Sequence, residues 1–95
     1  MSVAYQPLTH PRVAEFARKS RFPGWYIDSN GCYGCVLGRY WISVFANDDG
    51  ALDIAVDTVG ETGFFDVNLE WETAESDDEL ALTATRFVAK YAMKS

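Results

Sequence analysis

Four turn signatures follow one another at short intervals through the middle of the chain: Asn30-Gly31, Gly38-Arg39, Asp48-Asp49-Gly50 and Gly60-Glu61-Thr62-Gly63. From Trp25 onward the apolar residues between them recur at every second position, the period of strands with one face buried. Turns this short join antiparallel neighbours, so the segment reads as a meander. The pattern predicts strands near 24–29, 32–37, 40–46, 51–59 and 64–72. The second and third are alternatively one long strand bulged at Gly38. In the third, either Tyr40, Ile42 and Val44 or Trp41 and Phe45 face the core.

Helical signals flank the meander. Thr9-His10-Pro11 opens a short helix over Arg12 to Ser20, with proline where its missing N–H does no harm. Val13, Phe16 and Ala17 form its apolar face, and Phe22-Pro23-Gly24 ends it. Near the C-terminus, Ser76 and Glu79 have capping-box spacing, and Leu80, Ala84, Phe87, Val88 and Tyr91 recur at helical intervals to about Met93. The expected architecture is α+β: a meander of four or five strands with a short N-terminal helix and a C-terminal helix packed on one face. At 95 residues, 48% hydrophobic, the chain suits one domain spanning 1–95.

Charge is distributed unevenly over this plan. Between Ala46 and Glu79 lie twelve acidic residues and no Lys or Arg, against a net charge of −6 for the whole chain. Such a segment repels nucleic acid and anionic membrane and attracts basic protein surfaces. Alternation in the last two strands assigns Leu52, Ile54 and Val56, with Phe65, Val67, Leu69 and Trp71, to the core. A tight loop at Glu61-Thr62 then sets Asp57 opposite Asp66 and Asp53 opposite Glu70. The other face becomes a two-row carboxylate ladder of Asp53, Asp57, Asp66, Glu70 and Glu72, with Asp48, Asp49 and Glu61 at the turns. Like charges directly opposite cost up to about 1 kcal/mol, so folding gives no reason to choose them. The alternative is an acidic face that keeps a small protein soluble and blocks edge pairing. Glu75 to Glu79 are explained by helix capping and the helix dipole.

Other chemistry is sparse. Cys32-Tyr33-Gly34-Cys35 follows a turn within the meander rather than opening a helix, and alternation sends its two side chains to opposite faces. Reduced thiols are the expectation; a metal half-site shared across a dimer and a disulfide are the alternatives. His10, the single histidine, reads as a capping or surface residue rather than a base, and carboxylates on an open sheet are hydrated and unsuited to acid catalysis. No phosphate-binding, dinucleotide, nucleophile-elbow or zinc-protease motif occurs, so neither catalysis nor a cofactor is expected. Trp25, Tyr26, Tyr33, Tyr40, Trp41 and Phe45 are too many for one face of a small core. Either the first helix covers the second face, or that face is an aromatic contact patch. No run approaches the roughly 20 apolar residues of a membrane span, and no export signal is visible, so a cytoplasmic protein is expected.

In size, acidity, lack of catalytic motifs and its helix, meander, helix plan, the chain resembles the small anti-CRISPR proteins of phages and mobile elements. The resemblance covers the chain in outline and implies a stoichiometric inhibitor acting in a bacterial host. Its partner would be a basic nucleic-acid-binding surface of a CRISPR effector subunit, occupied by mimicry of duplex charge. The expected protein is monomeric and binds neither nucleic acid nor membrane itself. Two other readings stay open: an immunity protein or antitoxin against a basic nuclease toxin, and a structural homodimer linked through Cys32 and Cys35.

Overall fold

A computed structural model describes residues 9–61 and 65–94, with the backbone alone at Phe65 and Asp66. Helix α1 (Pro11–Ser20) leads into strands β1 (Tyr26–Ile27), β2 (Tyr33–Leu37), β3 (Tyr40–Ala46), β4 (Leu52–Val59) and β5 (Phe65–Ala74), and helix α2 (Asp77–Ala92) closes the chain. The strands form one antiparallel sheet in sequence order, β1-β2-β3-β4-β5. The α+β architecture expected from the sequence is the observed one. Its second and third strands are separate, with Gly38 at φ 62° in the turn between them.

Local chemistry sets the helix ends. The His10 side chain accepts a hydrogen bond from Arg12 N, and Arg21 closes α1 in the left-handed conformation at φ 46°. The Ser76 hydroxyl accepts from Glu79 N, and Glu79 Oε1 accepts from Glu75 N, one residue short of a complete capping box.

The core lies between the sheet and both helices. Val13 and Phe16 of α1, and Leu80, Ala84, Phe87 and Tyr91 of α2, pack on Tyr33, Cys35, Ile42, Val44, Leu52, Ile54 and Val56. This settles β3, whose Ile42 and Val44 face the core while Trp41 and Phe45 face away. It also corrects one expectation: α1 sits on the same face as α2 and does not cover the second face. Phe16, Phe22, Trp25 and Tyr33 form an aromatic cluster under α1, and the Tyr33 hydroxyl accepts from Phe22 N and from the Ser20 hydroxyl.

Gly34 of β2 lies directly against the backbone of β3. A Cβ built there would stand 2.0 Å from the Ile42 carbonyl oxygen, a backbone atom that cannot swing aside. Gly34→Ala should therefore destabilise the protein by about 1–3 kcal/mol, measured by urea denaturation, against an unchanged midpoint if the strands separate freely.

Candidate functional site

The face of the sheet away from the helices presents Tyr26 of β1, Val36 of β2, Trp41, Ser43 and Phe45 of β3, Asp53, Ala55 and Asp57 of β4, and Trp71 and Thr73 of β5. The centre is closed: Trp41, Ser43, Asp53 and Ala55 are all buried. Around it stand exposed apolar groups, with Tyr26 and Val36 on one side and Leu69 and Trp71 on the other. Trp71 is 57% exposed, an unusual position for an indole in a strand.

The placement of β5 overturns the ladder. Val56 pairs with Glu70, Ile54 with Glu72, Asp53 with Thr73 and Asp57 with Asn68, so Asp53 does not face Glu70 and Asp57 does not face Asp66. Val59 already pairs with Phe65, one position beyond the partner a tight loop at Glu61-Thr62 would give it, so the parity changes at the connection, and the two one-residue shifts on either side of Asp57 together preserve it. A slip that changes parity turns every side chain over. Val67, Leu69 and Trp71, expected in the core, are consequently exposed, while Glu70 and Glu72 stand on the helix side. There Glu70 accepts hydrogen bonds from Lys90 Nζ at 2.8 Å and the Tyr91 hydroxyl at 2.5 Å, and Glu72 accepts from Arg86 at 2.8 Å. These two carboxylates are neutralised within the fold and do not belong to the second face. The side chain of Asp66 and the Thr62 end of the expected tight loop lie outside the described residues.

Asp53 is on the second face but is an anchor rather than an exposed charge. It is 4% exposed. Its Oδ1 accepts from Thr73 Oγ1 at 2.7 Å and Asn47 Nδ2 at 2.9 Å, and its Oδ2 accepts from Trp71 Nε1 at 2.9 Å. Buried carboxylates need such donors to offset lost hydration. Asn47 also accepts from Asp49 N and Ala51 N, so one amide ties the β3–β4 turn to this anchor. Trp71 is braced further by an edge-to-face contact with Phe45 at 5.1 Å. Sequence reasoning placed Trp71 in the core and missed its role; its donor N–H beside a strand aspartate was the available signal.

The remaining expected site residues are exposed or half-buried. Asp48 and Asp49 lie at the β3–β4 turn, Asp57 ends the outer row of β4, and Glu61 follows that strand. Asp57 Oδ1 accepts from Asn68 Nδ2 at 3.0 Å. Among the described residues, no Lys or Arg pairs with Asp48, Asp49, Asp53, Asp57 or Glu61, whereas Glu15, Glu70, Glu72 and Asp77 each have a basic partner. The basic side chains explain the asymmetry. Seven of the eight belong to the helices and their ends (Arg12, Arg18, Lys19, Arg21, Arg86, Lys90 and Lys94), leaving Arg39 alone at the β2–β3 turn. The molecule is thus near neutral through its helix layer and anionic over the uncovered sheet and its turns.

Other polar groups serve the fold. Cys35 is buried and Cys32 half-buried, both free thiols. Burial raises the Cys35 thiol to about 11, and burial together with the Asp28 charge raises Cys32, so both are protonated and poor nucleophiles at neutral pH. Among the described residues no three His, Cys, Asp or Glu side chains are grouped to hold a metal ion. Among the same residues no helix is long and apolar enough to cross a membrane. A groove of about 410 Å³ between Phe22-Pro23, Trp25 and the α2 residues Ala84, Val88 and Ala89 is mainly apolar. The Thr85 hydroxyl at its wall donates to Ala81 O.

Glu70 makes a pH prediction. Burial opposes its ionisation, but hydrogen bonds from Lys90 and Tyr91, with the charges of Lys90 and Arg86, outweigh it and hold the carboxyl below its ordinary value. A depressed folded value contributes stability above the unfolded carboxylate range, and this is lost as pH falls through the folded value. Thermal midpoints should fall below about pH 4.5 less steeply in Glu70→Gln than in the parent. Tyr91 is shifted the other way, to about 12, by burial and then by Glu70.

Comparison with protein-family models, with curated proteins and with solved structures returns no match.

Proposed function

We propose that this protein is a non-enzymatic inhibitor that docks its uncovered sheet face on a basic, nucleic-acid-binding surface of a partner protein. The observation that carries the reading is the separation of charge across the sheet. On the helix side Glu15, Glu70, Glu72 and Asp77 are paired with bases, while Asp48, Asp49, Asp57 and Glu61 on the other side and at its turns have no described basic partner. Exposed Trp71, Leu69, Val36 and Tyr26 supply apolar area beside that charge. Exposed aromatic and apolar groups beside unpaired charge are features of a protein-binding patch. Opposite charge steers the encounter, and the aromatic groups slow dissociation.

Glu70, Glu72 and the buried Asp53 have no direct part in this surface, so the mimicry of duplex charge is a matter of net field rather than of a two-row ladder. Within this class, the outline resemblance to small acidic anti-CRISPR proteins supports a CRISPR effector subunit as the partner, in the cytoplasm of a bacterial host. The test mixes the purified protein with a panel of type I and type II effector complexes and follows target-DNA binding by gel shift at two salt concentrations. Loss of DNA binding to one effector, relieved by salt, is the expected result. Undiminished DNA binding by every effector would refute direct competition for DNA. Capture of a nuclease toxin would then favour the immunity-protein reading.

A further inference from the structure

The acidic-face reading leaves open what chemical group the exposed indole receives, and the bonding of Trp71 narrows the choice. Resting on that reading, we infer that Trp71 and Asp57 form a receiving site for an arginine side chain of the partner. Trp71 has one hydrogen-bond donor, Nε1, and Asp53 already holds it at 2.9 Å. The indole therefore offers a partner no donor, only its ring. A ring face takes apolar groups or cations, and tryptophan takes cations best.

The surroundings decide between those two. Trp71 pairs with Ala55, which Asp53 and Asp57 flank along the outer row of β4, each two residues or about 7 Å of backbone from it. Neither has a Lys or Arg partner among the described residues. Asp53 is sealed by its three donors, but Asp57 uses only Oδ1, toward Asn68, and no described group donates to its Oδ2. An apolar occupant would bring no compensation to either carboxylate. A guanidinium stacks flat on an indole while its N–H groups reach a nearby carboxylate. It is also more weakly hydrated than an ammonium, so it gives up less water on docking. The edge-to-face contact with Phe45 and the bond to Asp53 fix the ring before the partner arrives, which keeps the ordering cost of binding low.

The test uses a polyarginine and a polylysine peptide of equal length, titrated into the protein with tryptophan fluorescence and calorimetry as readouts. Polyarginine should bind about two- to fivefold more tightly than polylysine for one engaged side chain. That preference should disappear in Trp71→Leu, persist in part in Trp71→Phe, which keeps a ring, and shrink in Asp57→Asn. Residual salt-sensitive binding of both peptides should survive every variant. Circular dichroism of each variant excludes misfolding as the cause. Equal affinity for the two peptides, or a preference unchanged in Trp71→Leu, would overturn the arginine assignment while leaving the acidic-face reading standing. Failure of both peptides to bind the parent would remove both. A clear arginine preference with no effect on any CRISPR effector would uphold the site and refute the effector assignment.

Discussion

Reversing Asp48, Asp49, Asp57 and Glu61 to lysine should lower the rate of association with the basic partner by about 100-fold at low salt, with much smaller loss at high salt. Each reversal adds two charge units, so the chain passes from −6 to +2. None of the four side chains is paired with a base among the described residues, and none belongs to the core, so the fold should hold. Surface changes of this kind typically alter stability by less than about 0.5 kcal/mol each. Stopped-flow association at two ionic strengths measures the effect. Reversing Glu70 and Glu72 is the informative control, because it breaks their bonds to Lys90, Tyr91 and Arg86 and should reduce stability more than association. If the ladder described the surface, the two sets would act alike.

Truncating Phe87 to alanine should remove about 3–5 kcal/mol of stability. Phe87 is 1% exposed at the centre of the α2 face that covers the sheet, among the largest fully buried side chains. A chain of 95 residues has roughly 5–14 kcal/mol in total, so the loss approaches the whole reserve. The thermal midpoint should fall by on the order of 20 °C. Leu82, on the same helix but 73% exposed, should tolerate alanine with little change. A Phe87→Ala protein that melted with the parent would mean that α2 contributes little to the core.

The helices and strands were legible in the sequence because each is signalled locally. His10 and Ser76 cap where their types and spacing indicate, and the turns at Gly31, Gly38 and Gly50 fall between the strands they were expected to join. The side that each strand buries was less legible. In β4 the apolar alternation of Leu52, Ile54 and Val56 points to the core, in β3 it left both faces open, and in β5 Val67, Leu69 and Trp71 alternate as a core strand does and are exposed. Register decides this, and it departs from the tight-loop expectation by one residue already at the Val59–Phe65 pair, a length of connection that no residue type announces.

A signal nevertheless existed in the charges. Glu70 and Glu72 are two strand residues apart, about 6.7 Å, and Arg86 and Lys90 are four helix residues apart, about 6 Å. The matched spacing lets one pair meet the other across the edge of the helix layer, as Glu70 with Lys90 and Glu72 with Arg86 do. Pairing acids with the bases of the following helix would have turned β5 correctly. Asp53 would then have shared a face with Trp71 and Thr73, its two donors from β5. The cation partners of an acidic strand are thus a better guide to its orientation than its apolar alternation.

The most direct test of the uncovered sheet face as the binding surface is a nitrogen-15 chemical-shift titration with the polyarginine peptide. The indole N–H of Trp71 and the amides of Leu69, Val36 and Asp57 should move together and saturably, while those of Leu80 to Tyr91 in α2 stay in place. Shifts confined to α2 and the loop at Phe22 to Trp25, with the Trp71 indole unmoved, would contradict it.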